Sequence, residues 1–337
     1  MAQLQDRLDI TVEELEESLG HKKLDNFIKE SEALFVERMK SAISEACNNP
    51  EIKAVFISGP TSSGKTTFTM HLTEGLSRSG RPSAFLSLDD YYTLCDLNFD
   101  RDGRPDFETI ETLDLERANR DIKEIMEGKK VIPPKFDFKI RQSVERPESD
   151  AIQLPENGVL VVEGLHGLNS RVSGNIDESA CIKIFIMPYG NLYCDTKLMD
   201  SNEIRLLRRI VRDYRHRDAH ALSTIDYWPM IEKSEEAYYS DYLTSATYHI
   251  NSFLAYESLV IAPLALHDLK EALAQVADNS ISPSVFMQKS PTGKPFADLS
   301  KALSRARKLV EHLEKIPKCD PSRVPADSIL LEFIGNN

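Results

Sequence analysis

Short apolar runs alternate with longer polar segments along the chain, and the spacing of the apolar positions predicts both strands and helices. The runs that predict strands lie at residues 54–58, 83–88, 158–162 and 182–187, and residues 248–250 are a candidate for a fifth, short strand. Continuous apolar runs of this length are typical of strands that are buried on both faces of a parallel sheet.

Segments with helical spacing of apolar residues separate and flank these runs. The predicted helices cover residues 22–47, a stretch from about residue 65, and residues 112–126, 203–216 and 297–315. Thr112 or Asp114 is the expected cap of the 112–126 helix, and Gly128 ends it. Strands that alternate with helices predict an α/β fold with a parallel sheet.

The pattern divides the 337 residues into three regions. Residues 1–50 are polar and helix-prone, and we expect this N-terminal extension to pack on the next unit because it has too few apolar residues for its own core. Residues 51–280 contain the predicted strands and form the core. Residues 281–337 form a C-terminal helical extension with a polar joint at 289–295.

Composition and charge exclude several classes of protein. The formal net charge is −13, which argues against a general nucleic-acid-coating protein. The sequence contains no apolar run of about 20 residues and no signal-peptide pattern, so we expect no membrane partner. The five scattered cysteines include no CxxC pair, so neither a zinc site nor a disulfide framework is indicated. A soluble, reducing, cytoplasmic setting is expected.

Residues 59–66, here named the phosphate loop, match GxxxxGK[ST] completely and lie between a predicted strand and a helix. Glycines let backbone N–H groups surround phosphate oxygens, and the helix N-terminus adds a positive dipole end. Lys65 would reach the β- and γ-phosphates, and the Thr66 hydroxyl would bind Mg²⁺. The predicted nucleotide-binding residues are Gly59, Pro60, Thr61, Ser62, Ser63, Gly64, Lys65, Thr66 and Thr67.

This motif predicts a bound nucleoside triphosphate, but it does not separate a kinase from a GTPase or an ATPase motor. Acidic residues at strand ends help to distinguish these classes, because ligands of open α/β sheets lie beyond the carboxyl ends of the strands. Asp89 follows the second strand and could accept the proton of an attacking hydroxyl, as a kinase requires. It could also bind metal, or form a loop-capping pair with Asp90.

Glu163 follows four apolar residues, which is the Walker B pattern, and would hold Mg²⁺ directly or through water. Alternatively, Glu163 is a strand-end acid that caps the next loop. His166 lies three residues further on and is a candidate for lining the substrate pocket or for packing the loop.

Residues 204–217 carry six arginines and one acid. Arg205, Arg209 and Arg212 share one face of the predicted helix. Guanidinium groups bind phosphate oxygens bidentately and stay charged, so this helix predicts a phosphate-clamping lid at about residues 203–225. A solvated basic helix or an RNA-binding patch is the alternative, which the nearby phosphate loop disfavours.

Together these residues resemble the uridine kinase and phosphoribulokinase family. The similarity runs from about residue 54 to 273 and includes GPTSSGKTTF, SLDDYY, PPKFDF, VLVVEGLHGLN and RLLRRIVRD. EGLHGLN, DYWPMI, INSFLAYE and SILLEFIG look like the bacterial-type uridine kinase-like branch. Longer members of that branch carry an N-terminal module related to threonyl-tRNA synthetase, which we expect this chain to lack.

The resemblance implies phosphoryl transfer from ATP or GTP, with Mg²⁺, to a sugar hydroxyl such as the 5′-hydroxyl of uridine or cytidine. It also makes a homo-oligomer plausible. Position by position, it implies that Asp89 is the general base. Lys65, Thr66 and Glu163 match the residues that hold phosphate and Mg²⁺, and Arg209, Arg212 and Arg217 match the lid arginines.

For the acceptor, the resemblance implies that Asp106 binds the ribose hydroxyls, with Asp100 as a rival, and that Tyr92 lines the pocket. One segment departs from the family. Pyrimidine nucleoside kinases have Tyr-Asp-Phe followed by a His that contacts the base, whereas this chain has Phe136, Asp137 and Phe138, then Lys139 and Arg141.

Phe136 and Phe138 can still stack on a base, but Arg141 stands where the His would be and suits an anion better than a neutral uracil edge. A kinase of another small sugar or sugar phosphate is therefore an alternative. A non-catalytic, nucleotide-binding regulatory protein is a further alternative, which the acid at Asp89 disfavours.

Overall fold

The computed structural model describes residues 7–93, 95–137, 142–174 and 176–335. The strands are β1 (Leu8–Thr11), β2 (Ala54–Ser58), β3 (Ser83–Ser87), β4 (Lys135–Asp137), β5 (Gln142–Val144), β6 (Val159–Glu163), β7 (Cys181–Met187), β8 (Gly190–Cys194), β9 (Thr196–Met199) and β10 (Tyr248–Asn251). The α-helices are α1 (Val12–Glu17), α2 (His21–Asn48), α3 (Lys65–Arg78), α4 (Leu115–Met126), α5 (Ser170–Ser173), α6 (Ser201–His216), α7 (Ala221–Glu236), α8 (Tyr239–Ser245), α9 (Glu257–Ala277), α10 (Leu299–Leu313) and α11 (Leu331–Ile334).

All five strands that the apolar runs predicted belong to one parallel sheet with the order β10-β7-β2-β6-β3. Its central strands β2 and β6 are buried along their whole length, on both faces. Val55 and Ile57 of β2 pack into one apolar layer, whereas Ala54 and Phe56 pack into the layer on the other face. Helices cover both faces, so the predicted α/β parallel-sheet fold is confirmed.

The register of this sheet brings the ends of three strands together. Glu163, the last residue of β6, lies opposite Ile57 on one side and Ser87 on the other. The phosphate loop leaves β2 and Asp89 follows β3, so both start from the same edge as Glu163. The parallel topology therefore collects the predicted chemistry at the carboxyl edge of the sheet.

The N-terminal region packs directly on this core. Phe35 of α2 meets Phe68 of α3 with ring centroids 6.1 Å apart, and the Arg38 guanidinium donates to the Asn251 carbonyl over 2.7 Å. The region is not purely helical as expected, because β1 pairs in parallel with β8, which also pairs with β9. Its sequence, LDIT, has only two apolar positions, which is too weak a pattern to single out, and its partner lies far along the chain.

The C-terminal region is also packed against the core. Helix α10 contacts α7 and α9, and α11 contacts α6. Asp114 and not Thr112 caps α4, since its carboxylate accepts from the Arg117 N–H over 3.0 Å. Within the described residues, no helix combines the length and the apolar character that crossing a membrane requires.

Candidate active site

The phosphate loop joins β2 to α3 in a backbone conformation that suits bound phosphate. Ser62 and Gly64 have φ values of 57° and 88°, in the left-handed region. A Cβ at Gly59 would lie 2.1 Å from the Ile186 carbonyl oxygen, so only glycine fits there. The Ser62 and Ser63 hydroxyl groups are buried without a hydrogen-bond partner, and Ser62 borders the adjacent cavity, where a ligand can reach it.

Glu163 provides a second observation that fits a nucleotide with its metal. Its Oε1 accepts from the Ser87 hydroxyl over 2.8 Å, while its Oε2 is buried and has no partner. Burial, followed by the nearby Asp89, raises the pKa of Glu163. No cluster of three or more metal-ligating side chains is found in the described part of the chain. A single carboxylate, Glu163, beside a phosphate loop suits Mg²⁺, because this ion takes one or two carboxylates and completes its shell with phosphates and water.

The two neighbouring aspartates have different surroundings. Asp90 accepts from the Phe136 N–H over 3.3 Å and pairs with Arg146, so it holds the β4–β5 hairpin beside β3. Asp89 instead lines a cavity. Burial raises its pKa, while the charges of Lys65 and Arg217 act in the opposite direction. A raised pKa moves a carboxylate closer to the range that favours a general base.

This cavity has a volume of about 850 Å³ and extends from the phosphate loop past Asp89. Predicted residues that line it are Thr61, Ser62, Lys65, Thr66, Asp89, Tyr92, Phe136, Arg209, Arg212 and Arg217. Tyr92 and Phe136 form one wall, with ring centroids 5.6 Å apart. The fold thus brings predicted phosphate and base residues, and two of the predicted acceptor residues, around one space.

Three arginines of the predicted lid converge on Asp213. Arg209 Nε lies 3.0 Å, Arg212 Nη2 3.2 Å and Arg217 Nη1 3.7 Å from its carboxylate oxygens. Burial would raise the pKa of Asp213, but these three charges lower it to about 2. Burial and the charge of Arg217 lower the pKa of Arg212 to about 10. One carboxylate therefore keeps three cations together at the cavity.

Helix α6 also holds the phosphate loop. Arg205 Nε donates to the Thr61 carbonyl over 3.0 Å, Arg209 Nη1 to the Thr61 hydroxyl over 2.8 Å, and Arg208 Nη1 to the Ser62 carbonyl over 3.3 Å. These three side chains are buried, with exposed fractions of 3% or less. The alternative of a solvated basic helix is therefore wrong.

Two predicted substrate-binding residues, Asp106 and His166, do not line the cavity. The Asp106 carboxylate accepts from the Ser234 hydroxyl over 2.9 Å and the Glu108 N–H over 3.0 Å. His166 is hydrogen-bonded to the Tyr242 hydroxyl and the Glu108 carbonyl, each over 2.8 Å, and burial lowers its pKa to about 4. Both position the backbone around Glu108, which lines the cavity.

Asp100, the alternative to Asp106 for binding the ribose hydroxyls, forms an ion pair with Arg104 over 2.9 Å. Phe138, Lys139 and Arg141 lie outside the described residues.

Comparison with known proteins agrees with this geometry. Residues 54–252, more than half of the chain, match the model of the Phosphoribulokinase / Uridine kinase family. The chain belongs to this family. It is therefore a P-loop kinase, a phosphotransferase whose fold binds a nucleotide. Among curated proteins, no relative matches the chain.

Two solved structures resemble the kinase distantly. A protein from Silicibacter sp. TM1040, assigned provisionally as a fructose transport system kinase, is 17% identical over 59% of this chain and 87% of its own, with a TM-score of 0.38. The YGR205w protein is 16% identical over 42% of this chain and 53% of its own, with a TM-score of 0.28. Because both TM-scores are below 0.5, the assignment to the kinase family rests on the family match.

The kinase cavity includes residues that the sequence did not predict. The Tyr227 and Phe286 rings stack 4.7 Å apart at 18°, and the Arg209 guanidinium lies 5.9 and 5.7 Å from their centroids. Glu108 and Glu332 also line the cavity. Phe286 and Glu332 lie beyond the family match, in the C-terminal region. Glu332 belongs to the SILLEFIG segment of the resemblance but was given no role there, and no motif covers Phe286. Asp213 was visible only as the single acid among six arginines.

Proposed function

We propose that this kinase transfers the γ-phosphoryl group of ATP, or of GTP, to a sugar hydroxyl, and that the 5′-hydroxyl of uridine or cytidine is the acceptor. The observation that carries the proposal is the position of Asp89. It lines the same cavity as Lys65, Thr66 and the α6 residues Arg209 and Arg212. A base beside a phosphate loop suits transfer to a hydroxyl, and a pure nucleotide switch does not need it.

The chain's own residues supply the remaining roles. The phosphate loop binds the triphosphate, and Lys65 and Arg209 stabilise negative charge on the transferred group. Thr66 and Glu163 would hold Mg²⁺, which would neutralise charge on the phosphate oxygens. Asp89 takes the proton from the acceptor hydroxyl.

The aromatic lining supports a nucleoside acceptor. Tyr92 and Phe136 lie together on one side of the cavity, and Phe107, Tyr227 and Phe286 also line it. Aromatic rings bind planar bases by stacking, whereas a small sugar would leave this apolar surface poorly used. A sugar phosphate is the second candidate, because the cations Arg217 and Lys289 line the same cavity.

An Asp89→Asn variant tests the base. We expect kcat to fall by roughly 10²–10⁴-fold, as for the loss of a general base, while the affinity for Mg·ATP does not weaken. Asp96→Asn is the matched control, because Asp96 is exposed and does not line the cavity. Near-normal kcat in Asp89→Asn would contradict the assignment.

A coupled ADP-release screen tests the acceptor. Uridine, cytidine, free pentoses and sugar phosphates are compared with ATP and with GTP as donors. Release that rises with uridine or cytidine alone supports the proposal, and release that rises only with sugar phosphates supports the second candidate. Nucleotide turnover that rises with no acceptor would contradict both.

A further inference from the structure

The C-terminal segment, residues 328–335, packs on the phosphate loop. A Cβ at Gly64 would lie 3.3 Å from Ile329 Cδ1, so Ile329 closes over the start of α3. The Phe333 ring lies 5.0 Å from the Arg208 guanidinium, which itself donates to the loop. Ile329 and Phe333 are completely buried. The segment is therefore held firmly against the nucleotide-binding end of the cavity.

Glu332 extends from this segment to the first turn of α3. Its Oε2 accepts from the Thr67 N–H over 3.3 Å and from the Thr67 hydroxyl over 3.4 Å. First-turn N–H groups have no partner within their own helix, and in a phosphate loop they are the donors for nucleotide phosphate. A carboxylate of the chain thus uses a donor that the nucleotide requires.

We propose that Glu332 competes with nucleotide phosphate for the first turn of α3 and must rotate away before the nucleotide binds fully. The inference rests on the proposed nucleotide site. Two anions on the same N–H group would lie within a few ångströms, and their repulsion is strong in a partly buried site. Glu332 borders the open cavity, so rotation of its side chain alone can move the carboxylate off the Thr67 N–H. Ile329 and Phe333 can stay in place.

The charges around Glu332 explain why it rests there. Arg212 and Lys65 provide positive charge at this end of the cavity, while Glu163 provides the same sign as Glu332. A bound triphosphate would take over the interaction of Glu332 with Arg212. Glu332 would then lose its attraction and gain a repulsive neighbour, so the nucleotide affinity includes the work of displacing it.

Calorimetry of the full chain with Mg·ATP and with tripolyphosphate tests the competition. We expect Glu332→Gln and Glu332→Ala to bind both ligands about tenfold more tightly than the wild type. Glu311→Gln is the matched control, since Glu311 is exposed on α10, and its affinity should be unchanged. Thermal unfolding of each variant verifies that it is folded.

Affinity that is unchanged or weaker in both Glu332 variants would overturn the inference. Tightening for ATP without tightening for tripolyphosphate would also overturn it, because the carboxylate would then act on the nucleoside part. Lys65→Ala separates the two levels of the proposal. If Lys65→Ala loses ATP binding while the Glu332 variants match the wild type, the nucleotide site stands and the competition fails. If no variant and no wild-type chain binds ATP, both fail.

Discussion

A buried ion pair, Arg208 with Glu257, joins the phosphate loop to α9. Arg208 Nε lies 2.9 Å from Glu257 Oε1, and Nη2 lies 2.6 Å from Oε2, with exposed fractions of 0% and 1% for the two residues. Arg208 also donates to the Ser252 carbonyl over 2.8 Å, and Glu257 Oε2 accepts from the Leu254 N–H over 2.9 Å. The pair is therefore fully desolvated and has many partners.

Replacing Glu257 by Gln removes the negative charge and leaves a buried guanidinium without compensation. Two charge-assisted hydrogen bonds at about 1.5–3 kcal/mol each give a loss of about 3–6 kcal/mol. Breaking a buried ion pair by removing one partner costs about 3–5 kcal/mol, which agrees. The Gln carbonyl can still accept from the Leu254 N–H, so the loss reports the ion pair.

Urea unfolding followed by far-UV circular dichroism measures this loss as a shift of the midpoint at unchanged m value. Glu314→Gln is the control, because Glu314 pairs with Lys270 over 2.6 Å at an exposed position and should cost less than about 1 kcal/mol. In the double variant Arg208→Met/Glu257→Leu we expect much of the stability to return, since no charge is left buried. A cost below about 1 kcal/mol for Glu257→Gln would refute the reasoning.

Two further predictions concern pH and the phosphate loop. Burial lowers the pKa of His166 to about 4, so between pH 6.5 and 4 the unfolded chain binds a proton that the folded chain does not, and stability falls by about 3 kcal/mol toward pH 4. His166→Gln lacks this loss. In urea unfolding, the stability of the wild type relative to the variant should therefore fall by about 3 kcal/mol between pH 6.5 and pH 4. A difference that stays constant with pH would contradict the prediction. A Cβ at Gly59 would lie 2.1 Å from the Ile186 carbonyl, so Gly59→Ala should cost about 1–3 kcal/mol and abolish Mg·ATP binding in calorimetry. Gly80→Ala, with φ +88° and no atom within 4 Å of its Cβ, should cost about 1–2 kcal/mol by strain and keep binding; equal binding in the two variants would refute the steric argument.

Much of the architecture follows from local pattern. Continuous apolar runs predicted the five strands of the parallel sheet because strands buried on both faces need no polar positions. The GxxxxGK[ST] spacing predicted the loop between β2 and α3 because few other backbones can surround a phosphate. Asp89 was singled out because it follows a strand of such a sheet, and its carboxylate does line the cavity.

Other features depend on contacts between distant parts of the chain. Asp106 and Glu108 are two residues apart, and only the packing of Asp106 on Ser234 decides which of the two carboxylates lines the cavity. The short strand β1 is defined by its pairing with β8, some 180 residues later. Its own four residues, with Leu8 and Ile10 as the apolar positions, carry too weak a pattern to single it out.

The sequence by itself determined the sheet and the phosphate loop, because each is encoded in residues that are close along the chain, and the resemblance of several such segments indicated the kinase family. Only the tertiary structure decided that α6 is buried against the loop, that Phe286 stacks on Tyr227, and that Glu332 reaches Thr67. These contacts join residues separated by tens to hundreds of positions. They are chosen by shape and charge when the helices pack, and no local spacing records that choice.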